Sequence, residues 1–254
     1  METAQRTGNG GGLTGNALKL IAIAAMTLDH VLWILFRGYQ PMWWLLALHA
    51  IGRITAPIMW FFIAEGYLHT HDFKKYALRL LLFAIVSHFA YCFAFGISFL
   101  PFVKSVFNQT SVIWSLFWGL ITIRLFDSKL KTWLKFLLLV PILAISFPSD
   151  WSCIAVMAIL YLWGKRESFV KRMIWMMVWT AAYAVVFFFC IDKAYGVLQL
   201  CTALSIPLLF LYNGQRGTWK GMKWFFYIYY PAHLIAVGIL RLLLLSSAGV
   251  MIGA

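Results

Sequence analysis

The chain has 254 residues, of which 63% are hydrophobic and only 11% charged, and it carries 13 tryptophans. So few polar side chains cannot cover a globule in water, which excludes an ordinary soluble domain and points to a chain solvated by lipid. The formal charge of +13 does not indicate a nucleic-acid partner, because the basic residues lie in short segments between apolar runs rather than clustering on one solvated face.

GNGGGLTG at residues 8–15 predicts a flexible Gly-rich tail over residues 1–17. No charged segment, short apolar stretch and small-residue cleavage site stand at the start, so the first apolar run is expected to stay in the mature protein. Apolar runs broken by charge or turn residues then predict nine helices, at about 18–36, 43–68, 79–99, 112–126, 133–147, 151–163, 173–190, 197–212 and 224–245. Several are shorter than the ~20 residues a spanning helix prefers, the sixth most of all. The fold class expected is an all-α polytopic membrane protein, one domain over 18–245 with a short tail over 246–254. Runs five and six, joined by FPSDW, also fit a re-entrant hairpin. Cys92, Cys153, Cys190 and Cys201 fall in apolar runs without CxxC spacing; they read as small buried hydrophobes, and no metal site is expected.

Basic residues test the span count independently of hydropathy. With the N-terminus in the cytoplasm, sixteen Lys and Arg fall on the inside: Arg6 and Lys19; Lys74, Lys75 and Arg79; Arg124, Lys129, Lys131 and Lys135; Lys165, Arg166, Lys171 and Arg172; Arg216, Lys220 and Lys223. Only three, Arg37, Lys104 and Lys193, fall outside. This alternation predicts about nine spans, a cytoplasmic N-terminus and an outside C-terminus.

Of eight acidic residues, six are assigned to tails or loops, and Asp29 and Glu65 to spans. An ionisable group at mid-membrane costs roughly 2.5–3.5 kcal/mol on insertion scales, so it is expected to have a partner and a role. His30 lies roughly 16 Å beyond Lys19 at the helical rise, about halfway through a ~30 Å core. Arg53, His88 and His233 fall at similar depths in their own runs, so four helices are expected to bring ionisable groups to one level. Adjacent residues on a helix point different ways, so Asp29 and His30 cannot serve each other. Asp29 is expected to neutralise Arg53 across a helix interface, leaving His30 to face a cavity. Interhelical hydrogen bonding, worth about 0.6 kcal/mol per bond, is the simpler alternative for these groups. Pro57 should kink its helix beside Arg53, and Pro231 should free the Tyr227 carbonyl near His233, whereas Pro207 reads as structural. A second layer, Glu65, His69, His71, Lys74, Lys75 and Arg79 with Lys19, fits either a topology signal or a site for a phosphate-bearing ligand.

LKLIAIAAMTLDH (18–30), GRITAPIMWFFIAEGYLHT (52–70), RLLLFAIVSH (79–88) and YYPAHL (229–234) closely resemble the TraX family in order, spacing and helix placement. The chain departs from the family pattern at Thr55-Ala56 and at His88, to which no catalytic role is carried over. The family is in turn similar to transmembrane acyltransferases of the acyltransferase-3 group, in which a basic residue and a His share the first helix as Lys19 and His30 do here. The resemblance implies a transmembrane acyltransferase domain that takes acetyl-CoA from the cytoplasm and acetylates an amine or hydroxyl of a peptide, pilin or glycan acceptor. The expected donor site is Lys19, Glu65, His69, Lys74, Lys75 and Arg79. His30 would act as general base or acetyl carrier beside Asp29, and Arg53, or Tyr229 and His233, would stabilise the oxyanion. Two further readings are a proton-coupled transporter relaying protons through Asp29, His30 and Arg53, against which stands the lack of an internal repeat, and a non-catalytic component of a membrane assembly.

Overall fold

The computed structural model describes residues 11–100 and 106–252. The first ten residues of the predicted tail, Lys104 and the last two residues lie outside that range, as do the side chains of Lys223 and of residues 246–252.

All nine predicted runs are helical, although two of them are divided. Helix α1 is Gly15–Leu35, begun by Thr14, whose hydroxyl accepts from the Ala17 N–H. It takes up the last three residues of the predicted tail. The second run is two helices, α2 (Trp43–Gly52) and α3 (Thr55–Leu68). The break falls at Arg53–Ile54 because Pro57, in the first turn of α3, has no N–H to offer the Arg53 carbonyl. Helix α4 is Phe73–Phe95, six residues longer at its start than predicted because Asp72 caps it by accepting from the Lys75 N–H; Gly96 at φ 67° ends it. Lys74, Lys75 and Arg79 therefore stand on the helix itself. Next come α5 (Val112–Asp127), α6 (Thr132–Ser146), α7 (Ser152–Gly164) and α8 (Phe169–Cys190). The eighth run is α9 (Lys193–Leu198), a 3-10 turn over Gln199–Leu204 and α10 (Ser205–Phe210). Helix α11, Met222–Ile252, continues through the residues predicted as a tail.

Six stretches among the described residues are long and apolar enough to cross a bilayer: Gly15–Leu35, Trp43–Leu68, Phe73–Phe95, Phe169–Cys190, Lys193–Phe210 and Trp224–Leu245. Helices α5, α6 and α7 have 16, 15 and 13 residues, which at the helical rise is about 20–24 Å against a ~30 Å hydrocarbon core. The protein is thus an all-helical membrane protein. Among the described residues the only strand-like pairings are the isolated bridges Leu13–Tyr212 and Thr110–Ser149.

Helix α3 packs at the centre of the bundle against α1, α5 and α7; α11 lies along α4 and touches α1, so the first and last helices meet. The core they share includes Leu18, Ile58, Trp60, Leu120 and Ile159, all essentially inaccessible. Leu78, Leu82, Ile85, Val86 and Phe89 form an outward stripe on α4, the lipid-facing pattern that an apolar solvent permits. The cysteines correct the expectation of burial: Cys92 is buried, Cys153 and Cys201 are half-buried, and Cys190 is exposed. A weakly polar thiol has no reason to avoid a hydrocarbon-facing surface.

Candidate active site

Asp29 and His30, on α1, do face different partners. The Asp29 carboxylate accepts from His49 Nδ1 at 2.7 Å through one oxygen and from the Arg53 guanidinium at 2.5 Å through the other. His49 and Arg53 stand four residues apart at the end of α2, one helical turn, which aims both at one carboxylate. The close approach needs Gly52: a Cβ there would stand 2.6 Å from the Asp29 Cβ and Oδ1. Arg53 also donates to Gln199 Oε1 at 3.3 Å, and its guanidinium lies 5.9 Å from the Trp151 ring. The side chains of Asp29 and Arg53 are each 11% exposed, so either charge without the other would be a buried, unneutralised ion.

The His30 imidazole turns to α11. Its Nδ1 lies 2.9 Å from His233 Nε2, and His233 Nδ1 donates to the Tyr229 carbonyl oxygen at 3.2 Å. One turn below, Thr27 and Tyr229 join the same two helices through their hydroxyls at 2.9 Å. The Thr27 hydroxyl gives its proton to the Ile23 carbonyl, 2.8 Å away, so the Tyr229 phenol donates to Thr27. The Tyr229 phenol is thus engaged by Thr27, and its carbonyl meets His233.

Three cavities follow one another along these helices, the second and third lined by Asp29, His30 and Arg53. The first, about 400 Å³, opens at the end of the bundle bearing Lys19, His69, Arg79 and Arg216. A narrow second one of about 50 Å³ lies against Asp29, His30, Arg53 and Asp150, and shares Met59 and Phe226 with the first. The third, about 420 Å³, shares Asp29, His30, Arg53 and Asp150 with the second, and its other walls include Trp33, Tyr39, Tyr91, Phe95, Tyr183 and Phe187. The ionisable cluster therefore sits at the neck between a basic cavity and an aromatic one.

Of the six residues predicted for the donor site, Lys19, His69 and Arg79 line the basic cavity, with the Lys19 ammonium 4.8 Å from the Phe62 ring. Lys74 and Lys75 stand exposed in the first turn of α4, Lys75 paired with Asp72 at 3.2 Å. Glu65 turns away to Arg172 of α8 at 2.9 Å, and Arg172 in turn lies over the Phe61 ring at 4.2 Å. His88 does not join the central cluster; its Nε2 meets the Phe99 carbonyl at 2.9 Å.

Sequence reasoning missed His49, Asp150, Gln199, Arg172 and Arg216. His49 was detectable from its spacing to Arg53. Asp150 was assigned to a loop, but that loop folds inward. Asp150 N–H donates to the Thr110 carbonyl at 2.8 Å and Gln109 N–H to the Pro148 carbonyl at 2.6 Å, which ties segment 106–111 to 147–151. Trp151 and Ser152 take up left-handed φ of 63° and 52° to make the turn into α7. Among the described residues no ion pair engages the Asp150 carboxyl, and burial pushes it up to about 6, Arg53 opposing and Asp29 assisting. Arg216 reaches the basic cavity because its loop is pinned to the start of α1: the Gly15 and Asn16 N–H groups donate to the Gln215 and Arg216 carbonyls at 2.8 and 2.9 Å.

Fold and site together define a polytopic helical membrane protein with an intramembrane ionisable centre between two cavities. Residues 14–241 match the family model described as TraX protein, and the chain belongs to the TraX family. It is similar to a protein of Dichelobacter nodosus named "Probable fimbrial assembly protein FimC, serogroup H1", 28% identical over 227 residues that cover 85% of this chain and 91% of that protein. No solved structure matches the chain.

Proposed function

We propose that the protein transfers the acetyl group of acetyl-CoA to an amine of a pilin or fimbrial subunit within the bacterial inner membrane, with His30 as the base. The observation that carries this reading is the serial arrangement of cavities through the neck at His30. A basic chamber suits the phosphates of a CoA donor, and the distribution of Lys and Arg supports a cytoplasmic position for that end, where acetyl-CoA is found. The narrow middle cavity suits a slender thioester arm and is too small for the nucleotide. The aromatic chamber, lined also by Asp150, suits an acceptor amine, whose cationic form an acid and ring faces attract.

In the reaction, the neutral amine nitrogen attacks the thioester carbonyl carbon and gives its proton to His30 as the new C–N bond forms. The C–S bond breaks with its electron pair on sulfur, and the thiolate takes the proton back from His30, leaving the amide, CoA thiol and a neutral imidazole. Arg53, held at the neck by Asp29 and Gln199, is the donor placed to stabilise the carbonyl oxygen as it gains charge. The kinship with wider transmembrane acyltransferases belongs to this proposal.

The test is transfer of labelled acetyl from acetyl-CoA to an amine-bearing peptide by the purified protein in nanodiscs. Transfer that disappears in a folded His30→Ala variant is expected. Absence of both CoA binding and transfer at millimolar acetyl-CoA would overturn the reading, and retained turnover in His30→Ala would remove His30 from it. The name of the Dichelobacter nodosus relative favours a second reading, a non-catalytic assembly component. On that reading His30→Ala alters subunit binding and leaves subunit acetylation, read by mass spectrometry, unchanged.

A further inference from the structure

The contact between His30 and His233 fixes where the proton sits as well as where the rings lie. His233 Nδ1 lies 3.2 Å from the Tyr229 carbonyl oxygen. A carbonyl only accepts, so the proton is on Nδ1, and the Nε2 of a neutral His233 then holds a lone pair. That nitrogen is the one 2.9 Å from His30 Nδ1, which must therefore donate. The proton of His30 is left at Nδ1 and its lone pair at Nε2. The ring geometry agrees with this assignment. The two planes are 4° apart and the centroids 5.1 Å apart. With two nitrogens at 2.9 Å, this describes rings edge to edge in nearly one plane, each nitrogen pointing along the bond.

The neighbours hold the arrangement. The Tyr229 ring lies parallel to His233 at 5.4 Å and 12°, the Tyr230 ring meets His233 edge-on at 5.3 Å, and Phe95 meets His30 edge-on at 5.6 Å. The Thr27–Tyr229 hydroxyl pair fixes α11 against α1 one turn away. In many hydrolytic sites a carboxylate orients the base. Here the adjacent carboxylate, Asp29, is already committed to His49 and Arg53, and an uncharged imidazole orients the base without adding a buried charge.

We propose that His233 is the positioning residue that holds His30 in the Nδ1–H tautomer, so that Nε2 is the basic atom, and that its lone pair supports the His30 imidazolium formed during acetyl transfer. The tautomer is a property of the resting protein; its consequence for turnover rests on the acetyltransfer reading.

The experiment is 15N NMR of the protein labelled at histidine nitrogens, in nanodiscs, with the His30 signals assigned by their loss in His30→Ala. Wild type is expected to show His30 with a protonated Nδ1 and an unprotonated Nε2. His233→Leu is expected to release that tautomer and to lower kcat about 10- to 100-fold with little change in KM for acetyl-CoA. His233→Gln, whose side-chain oxygen can accept from Nδ1–H, should restore both. A His30 carrying its proton on Nε2 in wild type overturns the inference by itself, even if neither His233 variant folds. Unchanged tautomer and kcat in a folded His233→Leu do so as well. The expected tautomer in a protein that transfers no acetyl group upholds the assignment to His233 and overturns the acetyltransferase instead.

Discussion

The Arg53 guanidinium reaches Asp29 from the helix that follows, 2.5 Å from Oδ2, while His49 takes the other oxygen at 2.7 Å. Arg53 thus neutralises Asp29, and His49 hydrogen-bonds the same carboxylate, where the membrane supplies no water. Removing one partner strands the others: Asp29→Ala should destabilise the protein by about 3–5 kcal/mol, because a buried ion is left without its counterion. Thermal unfolding in detergent measures this. The double variant Asp29→Leu/Arg53→Leu should be less destabilised than the sum of the two single changes, and strict additivity would show that the pair is not coupled.

Gly52 is the smallest change with a large expected effect. In Gly52→Ala the new Cβ would collide with Asp29 at 2.6 Å, and all three atoms it meets belong to a side chain held at two oxygens. Overpacking of this kind typically costs about 1–3 kcal/mol. Turnover should fall together with stability. A variant with wild-type melting and activity would mean that α1 and α2 can separate without penalty.

The basic cavity separates residues that sequence spacing treats alike. Arg216→Ala, Lys19→Ala and Arg79→Ala each remove a cation from its wall and should raise KM for acetyl-CoA about 10-fold or more, the scale of a hydrogen bond to a charged group. Lys74→Ala and Lys75→Ala, exposed at the start of α4, should change it little. Steady-state kinetics on the five variants checks the division; equal effects throughout would place the donor elsewhere.

Asp150 gives the fold a dependence on pH. Its carboxyl is raised from the ordinary 3.8 to about 6 by burial, so the protonated form is the one the fold favours. The stability it contributes is complete below about pH 4 and is lost as the pH rises through about 6. Asp150→Asn, neutral throughout, should show a smaller loss of melting temperature than wild type between pH 4 and pH 7. Parallel curves for the two proteins would count against the buried carboxyl.

The helical scaffold was largely legible because lipid imposes one rule along the whole chain, and apolar runs broken by charge mark where that rule stops. The Asp29–Arg53 pair was legible for a related reason: each is too costly alone at its depth. What could not be read was anything set by approach between distant segments. Glu65 counted with the basic layer because it is near His69 in sequence, yet it pairs with Arg172, 107 residues away. Asp150 counted as a loop residue because composition cannot tell a solvated turn from one drawn inward by hydrogen bonds to segment 106–111. Lys74 and Lys75 misled for the opposite reason, since an Asp cap extended α4 and carried them to an exposed turn.

The pairing of Thr27 with Tyr229 and of His30 with His233 joins the first and last of the described helices. Membrane helices enter the bilayer from the N-terminus onward as the chain is made, so His30 is delivered well before its partner, 203 residues further along the chain. A partly made chain holds Lys19, Asp29 and Arg53 but has no His233 to meet His30. On the acetyltransfer reading, competence at the centre waits for the synthesis of α11.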